Sequence, residues 1–163
     1  MTPSRAARAR RRRARAIGGL AILVGAVGGL FLFLGRGPHI EIPADPCATR
    51  PPLVHFQGVV LQPLAMEAFK RAQRSAGRPI EVVASYRSCG AQRLACRNIC
   101  GDPNGCPGEC AKPGQSWHQL GAAIDVSTAS LDFPAILAAL RDSGWCQPLP
   151  SSDPGHFSFD GCH

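Results

Sequence analysis

Apolar residues occur along this chain in three rhythms, and each predicts a different element. Residues 17–34, IGGLAILVGAVGGLFLFL, run for 18 positions without a charge or a proline, about the length that crosses a ~30 Å hydrocarbon core as a helix. Pro63 to Ala76, PLAMEAFKRAQRSA, instead sets Leu64, Ala65, Ala68, Phe69 and Ala72 at helical spacing, behind a first-turn proline and ahead of a closing Gly77. That pattern predicts an amphipathic helix. A second helix is expected over Asp132 to Ser143, with Asp132 as its cap and Gly144 as its stop. Short β-branched or alternating runs predict strands at Ile80–Ala84, Ala122–Ser127 and His156–Phe159.

Between the first two strands lies a polar stretch, Ser88 to Gln115, dense in Gly, Pro, Asn and Cys, where only Gln92 to Arg97 suggests a short helix. It reads as a loop stapled to itself. Residues 35–52 are rich in proline and glycine and lack periodicity, so they read as a linker. The expected fold class is α+β, a small and mainly antiparallel sheet with flanking helices, preceded by one N-terminal transmembrane helix. The implied plan is a cytoplasmic arginine-rich segment at 1–16, an anchor at 17–34, the linker at 35–52 and one folded domain at 53–163.

At 163 residues the chain has room for one domain beyond its leader. Its formal charge of +7 suggests nucleic acid until the charges are placed. Seven arginines (Arg5, Arg8, Arg10, Arg11, Arg12, Arg13, Arg15) precede residue 17, whereas from Pro38 onward 10 basic and 11 acidic side chains leave a net charge of −1. The folded part has no basic excess to attract phosphate, so no nucleic-acid partner is expected. Arginines before the apolar run place the N-terminus in the cytoplasm and the domain outside, as a single-pass protein of the cytoplasmic or inner membrane. A cleaved signal peptide is the alternative, but the run exceeds the usual ~7 to 15 residues and no small-x-small cleavage site follows. All eight cysteines (Cys47, Cys89, Cys96, Cys100, Cys106, Cys110, Cys146, Cys162) fall on the exported side, where disulfides are expected. The alternative is a structural zinc site at Cys96, Cys100, Cys106 and Cys110, whose spacing departs from the usual close pairs.

Strand alternation supplies the candidate chemistry. In AAIDV, Ile124 and Val126 face one way and Asp125 the other; in HFSF, Phe157 and Phe159 oppose His156 and Ser158. If the apolar sides share a core, Asp125 and His156 emerge together on the open face. A bend at Gly121 would bring His118 over the same face. Two histidines and one carboxylate leave a fourth tetrahedral position for water, the arrangement catalytic zinc requires. Asp153, three residues before His156, is the nearest carboxylate able to take a proton from water on the metal. Arg87, at the end of the first strand, supplies fixed positive charge for an oxygen that becomes anionic when a carbonyl is attacked. Together these are parts for metal-assisted amide hydrolysis.

The run Ser116, His118, Gly121, Ala123, Asp125, followed by Asp153 to Phe157, resembles the M15 family of zinc metallopeptidases, the D,D-carboxypeptidases and L-alanyl-D-glutamate endopeptidases that cut peptidoglycan stem peptides. SYRS with Gln92 five residues after Arg87, AKPGQ before Ser116, and Gly144–Trp145 resemble the same pattern, which spans roughly Pro63 to Phe159. The resemblance implies Zn2+ held by His118, Asp125 and His156, a general base at Asp153, and carbonyl or oxyanion stabilisation by Arg87. Ser116 and Gln92 would contribute to substrate binding. This chain departs at Asp153-Pro154-Gly155-His156, where the carboxypeptidase branch usually has Glu-Pro-Trp-His, and in the cysteine-rich insertion between Cys89 and Cys110. The HQLGAAIDV and PGQS context points to a D-alanyl-D-alanine carboxypeptidase acting on peptidoglycan peptides; the aspartate at 153 points to the endopeptidase. A catalytically silent cell-wall-binding module of the same fold, and a metal-free disulfide-rich interaction domain, are the readings from other classes.

Overall fold

The structure is a computed structural model and describes residues 40–161. The expected membrane segment at 17–34 lies outside the described residues, among which no helix is long and apolar enough to cross a membrane. Residues 40–52, read as part of a linker, touch the domain at several places, among them Arg50 over the Tyr86 ring at 5.2 Å. Ile40 is buried, Glu41 exchanges hydrogen bonds with the Gln62 amide (3.0 and 2.8 Å), and Cys47 is bridged to Cys89.

A hairpin follows that the sequence pattern did not suggest, β1 (Val54–Phe56) against β2 (Val59–Leu61). It turns through Gln57 and Gly58, both at positive φ (49° and 82°). Two such residues make the tight turn that matches strand twist, but a Gln-Gly pair lacks the Asn-Gly or Asp-Gly signature. Helix α1 (Pro63–Ala76) is as expected, closed by Gly77 at φ 67°, and it buries Ala65, Met66, Ala68, Phe69 and Ala72. Met66 rather than Leu64 completes the inner face.

The remaining elements are β3 (Val82–Ala84), α2 (Cys89–Cys100), β4 (Ala123–Val126), α3 (Phe133–Asp142), β5 (Trp145–Cys146) and β6 (His156–Phe159). The four later strands form an antiparallel sheet in the order β3-β4-β6-β5. Ile124 sits opposite Phe157 across β4 and β6, and both are fully buried. Helices α1 and α3 pack together, and Phe69, Met66 and Leu140 join Ile124 and Phe157 in one core. Truncating a buried aromatic such as Phe157 to alanine costs about 3–5 kcal/mol, so this pair holds the register of the two strands. Asp132 precedes α3 but makes no side-chain cap; its carboxylate is ion-paired with Arg78 instead.

The stretch from Ser88 to Gln115, read as a loop with a short helix at Gln92 to Arg97, contains a longer one around that segment, a full three-turn helix. Ser88 caps α2 by accepting a hydrogen bond from the Ala91 N–H at 3.2 Å. Cys89, Cys96 and Cys100 are seven and four residues apart, which places them on one helix face. That face is bridged to Cys47, Cys110 and Cys106 respectively, and Cys146 is also disulfide-bonded. The helix is held by covalent bonds where another would be held by an apolar stripe, so hydrophobic periodicity does not reveal it. The bridges also correct the four-cysteine zinc alternative, because all four sulfurs are committed to disulfides. Closing the 14-residue span from Cys96 to Cys110 restricts the unfolded chain by about 3 kcal/mol.

Candidate metal centre

Strands β4 and β6 pair with Asp125 directly opposite His156, which brings their side chains together on the face away from the core. The His156 Nδ1 lies 2.9 Å from Asp125 Oδ1. His118 arrives from the turn before β4. Gly121, at φ 66°, bends the chain there and donates its N–H to the His118 carbonyl at 3.1 Å. A Cβ at this position would lie 2.6 Å from Leu53 Cδ2, so the bend needs glycine on two counts. The bend leaves His118 Nε2 3.2 Å from the same Asp125 oxygen.

The other nitrogen of His118 sets its chemistry. Nδ1 is 2.7 Å from the Ser85 backbone oxygen, and a carbonyl can only accept. The ring proton therefore sits on Nδ1, and the Nε2 lone pair faces the carboxylate. Two electron-rich atoms at that distance call for a cation between them, either a second ring proton or a metal ion. Burial pushes the Asp125 carboxyl up, but hydrogen bonds and charge from His118 and His156 outweigh it and hold the group well below the usual carboxylate range. A tetrahedral ion with N and O ligands at ~2.0–2.2 Å sets those ligands about 3.3–3.6 Å apart. The three candidate atoms here all lie within 4.8 Å of one another, and the Asp125 contacts of 2.9 and 3.2 Å are close to that edge length. The donor set fits zinc. The other group of potential ligands, Cys100, Cys106 and Glu109, does not, since its cysteines are disulfide-bonded.

Arg87, Gln92, Ser116 and Asp153 line the same cavity as the three candidate ligands, an open space of about 200 Å³. All seven residues singled out in the sequence are thus brought together. Arg87 Nη2 is 3.5 Å from Asp125 Oδ2, and its Nη1 donates to Gln92 Oε1 at 3.0 Å. Gln92 is buried, and its Nε2 donates to the Ala111 carbonyl at 2.8 Å. Both ends of its amide are used within the protein, so what Gln92 gives the cavity is its hold on Arg87. Ser116 is buried at the wall. Asp153 is exposed at the rim, where its carbonyl accepts the His156 N–H at 3.2 Å and its N–H donates to Leu149 at 2.8 Å.

Two further residues, Ser85 and Gln119, shape the site without having shown in the sequence, and Gly155, noted there only as a departure, has a structural role. The Ser85 carbonyl selects the His118 tautomer, and a backbone acceptor leaves no mark in residue identity. Gln119, buried beside His118, accepts the Gly114 N–H at 2.7 Å and donates to Cys89 Sγ at 2.6 Å. Gly155 packs so close to β4 that a Cβ would lie 2.7 Å from the Val126 oxygen, while its carbonyl accepts the Val126 N–H at 2.9 Å. No side chain fits there in this register without a shift of the β4 backbone.

No family model matches the chain, and no curated protein matches it. Among solved structures, it is similar to VanYB in complex with D-alanine-D-alanine, at 21% identity and a TM-score of 0.53, over 74% of this chain and 82% of that one. It is also similar to a point mutant of the vancomycin resistance D,D-pentapeptidase VanY from the VanB-type cassette, in complex with Zn(II), at 18% identity and a TM-score of 0.51, over 74% of this chain and 83% of that one. The chain has their fold. At this identity the likeness is one of backbone, and the chemistry of the site rests on the side chains of His118, Asp125 and His156.

Proposed function

We propose that the domain is a zinc-dependent peptidase of the M15 type that hydrolyses peptidoglycan stem peptides, as a D-alanyl-D-alanine carboxypeptidase. The observation that carries the reading is the meeting of His118 Nε2, Asp125 Oδ1 and His156 Nδ1 in a cavity also lined by Arg87 and Asp153. A shared fold with one structure holding D-alanine-D-alanine and another holding Zn(II) supports it.

Zinc bound by the three ligands would supply Lewis acidity and lower the pKa of a coordinated water to ~7. The chain's own residues do the rest. The Ser85 carbonyl holds His118 in the tautomer that offers Nε2. Asp153 takes the proton from the attacking water and returns it to the leaving amine. Arg87, held by Gln92, steadies the oxygen on which charge develops. Ser116 meets the substrate at its carboxylate. Residues 17–34 anchor the chain with the domain outside the cytoplasm, and the three described disulfide pairs suit such an oxidising compartment.

The test is zinc analysis of the purified chain, followed by digestion of muropeptides and mass spectrometry. One zinc per chain, loss of a terminal alanine and abolition by a chelator are expected. Cleavage after L-alanine would replace the carboxypeptidase with the endopeptidase, the reading favoured by Asp153. No zinc and no product would refute the enzyme.

A further inference from the structure

Cys106 and Cys110 close a tight turn at the mouth of the cavity. Their backbones exchange hydrogen bonds, each N–H 3.0 Å from the other's carbonyl oxygen. Both are cross-linked to α2, Cys106 to Cys100 and Cys110 to Cys96. Gly105 lies so tightly beneath that a Cβ there would sit 2.9 Å from the Cys110 oxygen and the Lys112 backbone. The tip is Pro107-Gly108-Glu109, and Glu109 is exposed. Among the described residues it makes no ion pair. A flexible loop would average such a charge over many positions; a turn pinned twice to a helix presents it at one.

Glu109 lines the cavity that holds the candidate ligands and also a second, largely apolar cavity of about 430 Å³. The two share a wall of Glu109, Cys110, Ala111, Gln115 and Leu149, so they are adjoining parts of one depression. Resting on the peptidase reading above, we propose that Glu109 is a specificity-determining residue that reads a cationic side chain of the substrate peptide on the N-terminal side of the scissile bond. The substrate carboxylate is assigned to Ser116 in the first cavity, and the shared wall is the path this inference gives to the rest of the peptide. Lys112 lines the second cavity but not the first, so an ammonium group is favoured on the side of Glu109 that faces the ligands. Asp153 adds a second negative charge there, while Arg87 is paired with Asp125.

The experiment uses the full zinc-loaded chain and two peptides ending in D-alanyl-D-alanine, one preceded by lysine and the other by Nε-acetyl-lysine. An exposed carboxylate–ammonium pair gives about a 1.5- to fivefold preference in kcat/KM for lysine, shrinking as ionic strength rises. Glu109→Gln abolishes the preference; Glu109→Lys reverses it. Calorimetric binding of the same peptides to the metal-free chain follows the same order, independently of turnover. Equal rates on the two peptides, or a preference that survives Glu109→Gln, would overturn the inference while the peptidase reading stands. A preference in binding without hydrolysis of either peptide would overturn the peptidase reading and leave the Glu109 contact standing.

Discussion

Replacing Gln92 with methionine, its closest apolar match in shape, tests whether the arginine in this cavity is held or merely nearby. The substitution removes two hydrogen bonds, Arg87 Nη1 to Oε1 at 3.0 Å and Nε2 to the Ala111 carbonyl at 2.8 Å, and two weaker ones from Nε2 to Cys96 Sγ (3.5 Å) and Cys110 Sγ (3.4 Å). A bond to a charged group contributes about 1.5–3 kcal/mol and a neutral one about 0.5–1.5 kcal/mol. Burying a thioether in place of an amide offsets part of that, so a net destabilisation of about 1–3 kcal/mol is expected. With a urea m-value of ~1–3 kcal/mol/M, the unfolding midpoint falls by roughly 1 M. Arg87 keeps only its 3.5 Å contact with Asp125, and its side chain is about one-fifth exposed. Full loss of an oxyanion donor costs ~10²–10³ in kcat; loss of one of two anchors is expected to cost about tenfold.

Steady-state kinetics on a D-alanyl-D-alanine peptide, with zinc measured in the same samples, separates the possibilities. If Arg87 acts on charge that develops in the transition state, kcat falls and KM stays near its wild-type value. If Arg87 acts on the bound substrate, KM rises instead. Zinc content stays the same in either case, because Gln92 bonds to none of His118, Asp125 and His156. Wild-type kcat/KM in Gln92→Met would refute the idea that the buried amide positions the arginine. Loss of zinc would refute it differently, by placing Gln92 in the support of the metal ligands.

Two other outcomes follow from the same geometry. Gly155→Ala brings a Cβ to within 2.7 Å of the Val126 carbonyl, an overpacking expected to cost about 1–3 kcal/mol; an unfolding free energy from urea titration within about 0.5 kcal/mol of wild type would show that β4 and β6 separate easily there. In the metal-free protein the Asp125 carboxyl is held below its ordinary value of 3.8, so the folded state binds fewer protons at this group than the unfolded state does. Its contribution to stability is present above about pH 4 and is lost as pH falls further; the gap between wild type and Asp125→Asn should narrow below pH 4, and a constant gap down to pH 2.5 would refute the pairing.

What the residues revealed of this site was its alternation, and what they hid was its scaffolding. Asp125 and His156 are legible because each is the odd member of an apolar strand, and period-two geometry turns both outward once Ile124 and Phe157 are buried. Gly121 is legible as a bend for the same local reason. The β1–β2 hairpin is not, since Gln57 takes a positive φ without belonging to the residues that favour one. Of helix α2 only the middle, Gln92 to Arg97, is legible, since its inner face is a row of half-cystines, and their partners at Cys47, Cys110 and Cys106 depend on distances that no local pattern encodes.

The bridges that hide the full length of α2 from hydrophobic periodicity also explain its position beside the candidate ligands. Gln92 lies one turn before Cys96, and its amide meets the Ala111 carbonyl next to Cys110. Gln119, next to His118, donates to Cys89. Each of these disulfides therefore has a buried glutamine against it, and each glutamine is one step from a residue of the site: Gln92 holds Arg87, and Gln119 adjoins His118 in the chain. A small sheet cannot bury enough apolar surface to fix both walls of a polar cavity. In this domain β4 and β6 fix the wall that carries Asp125 and His156, and covalent bonds fix the wall that carries Arg87 and Glu109.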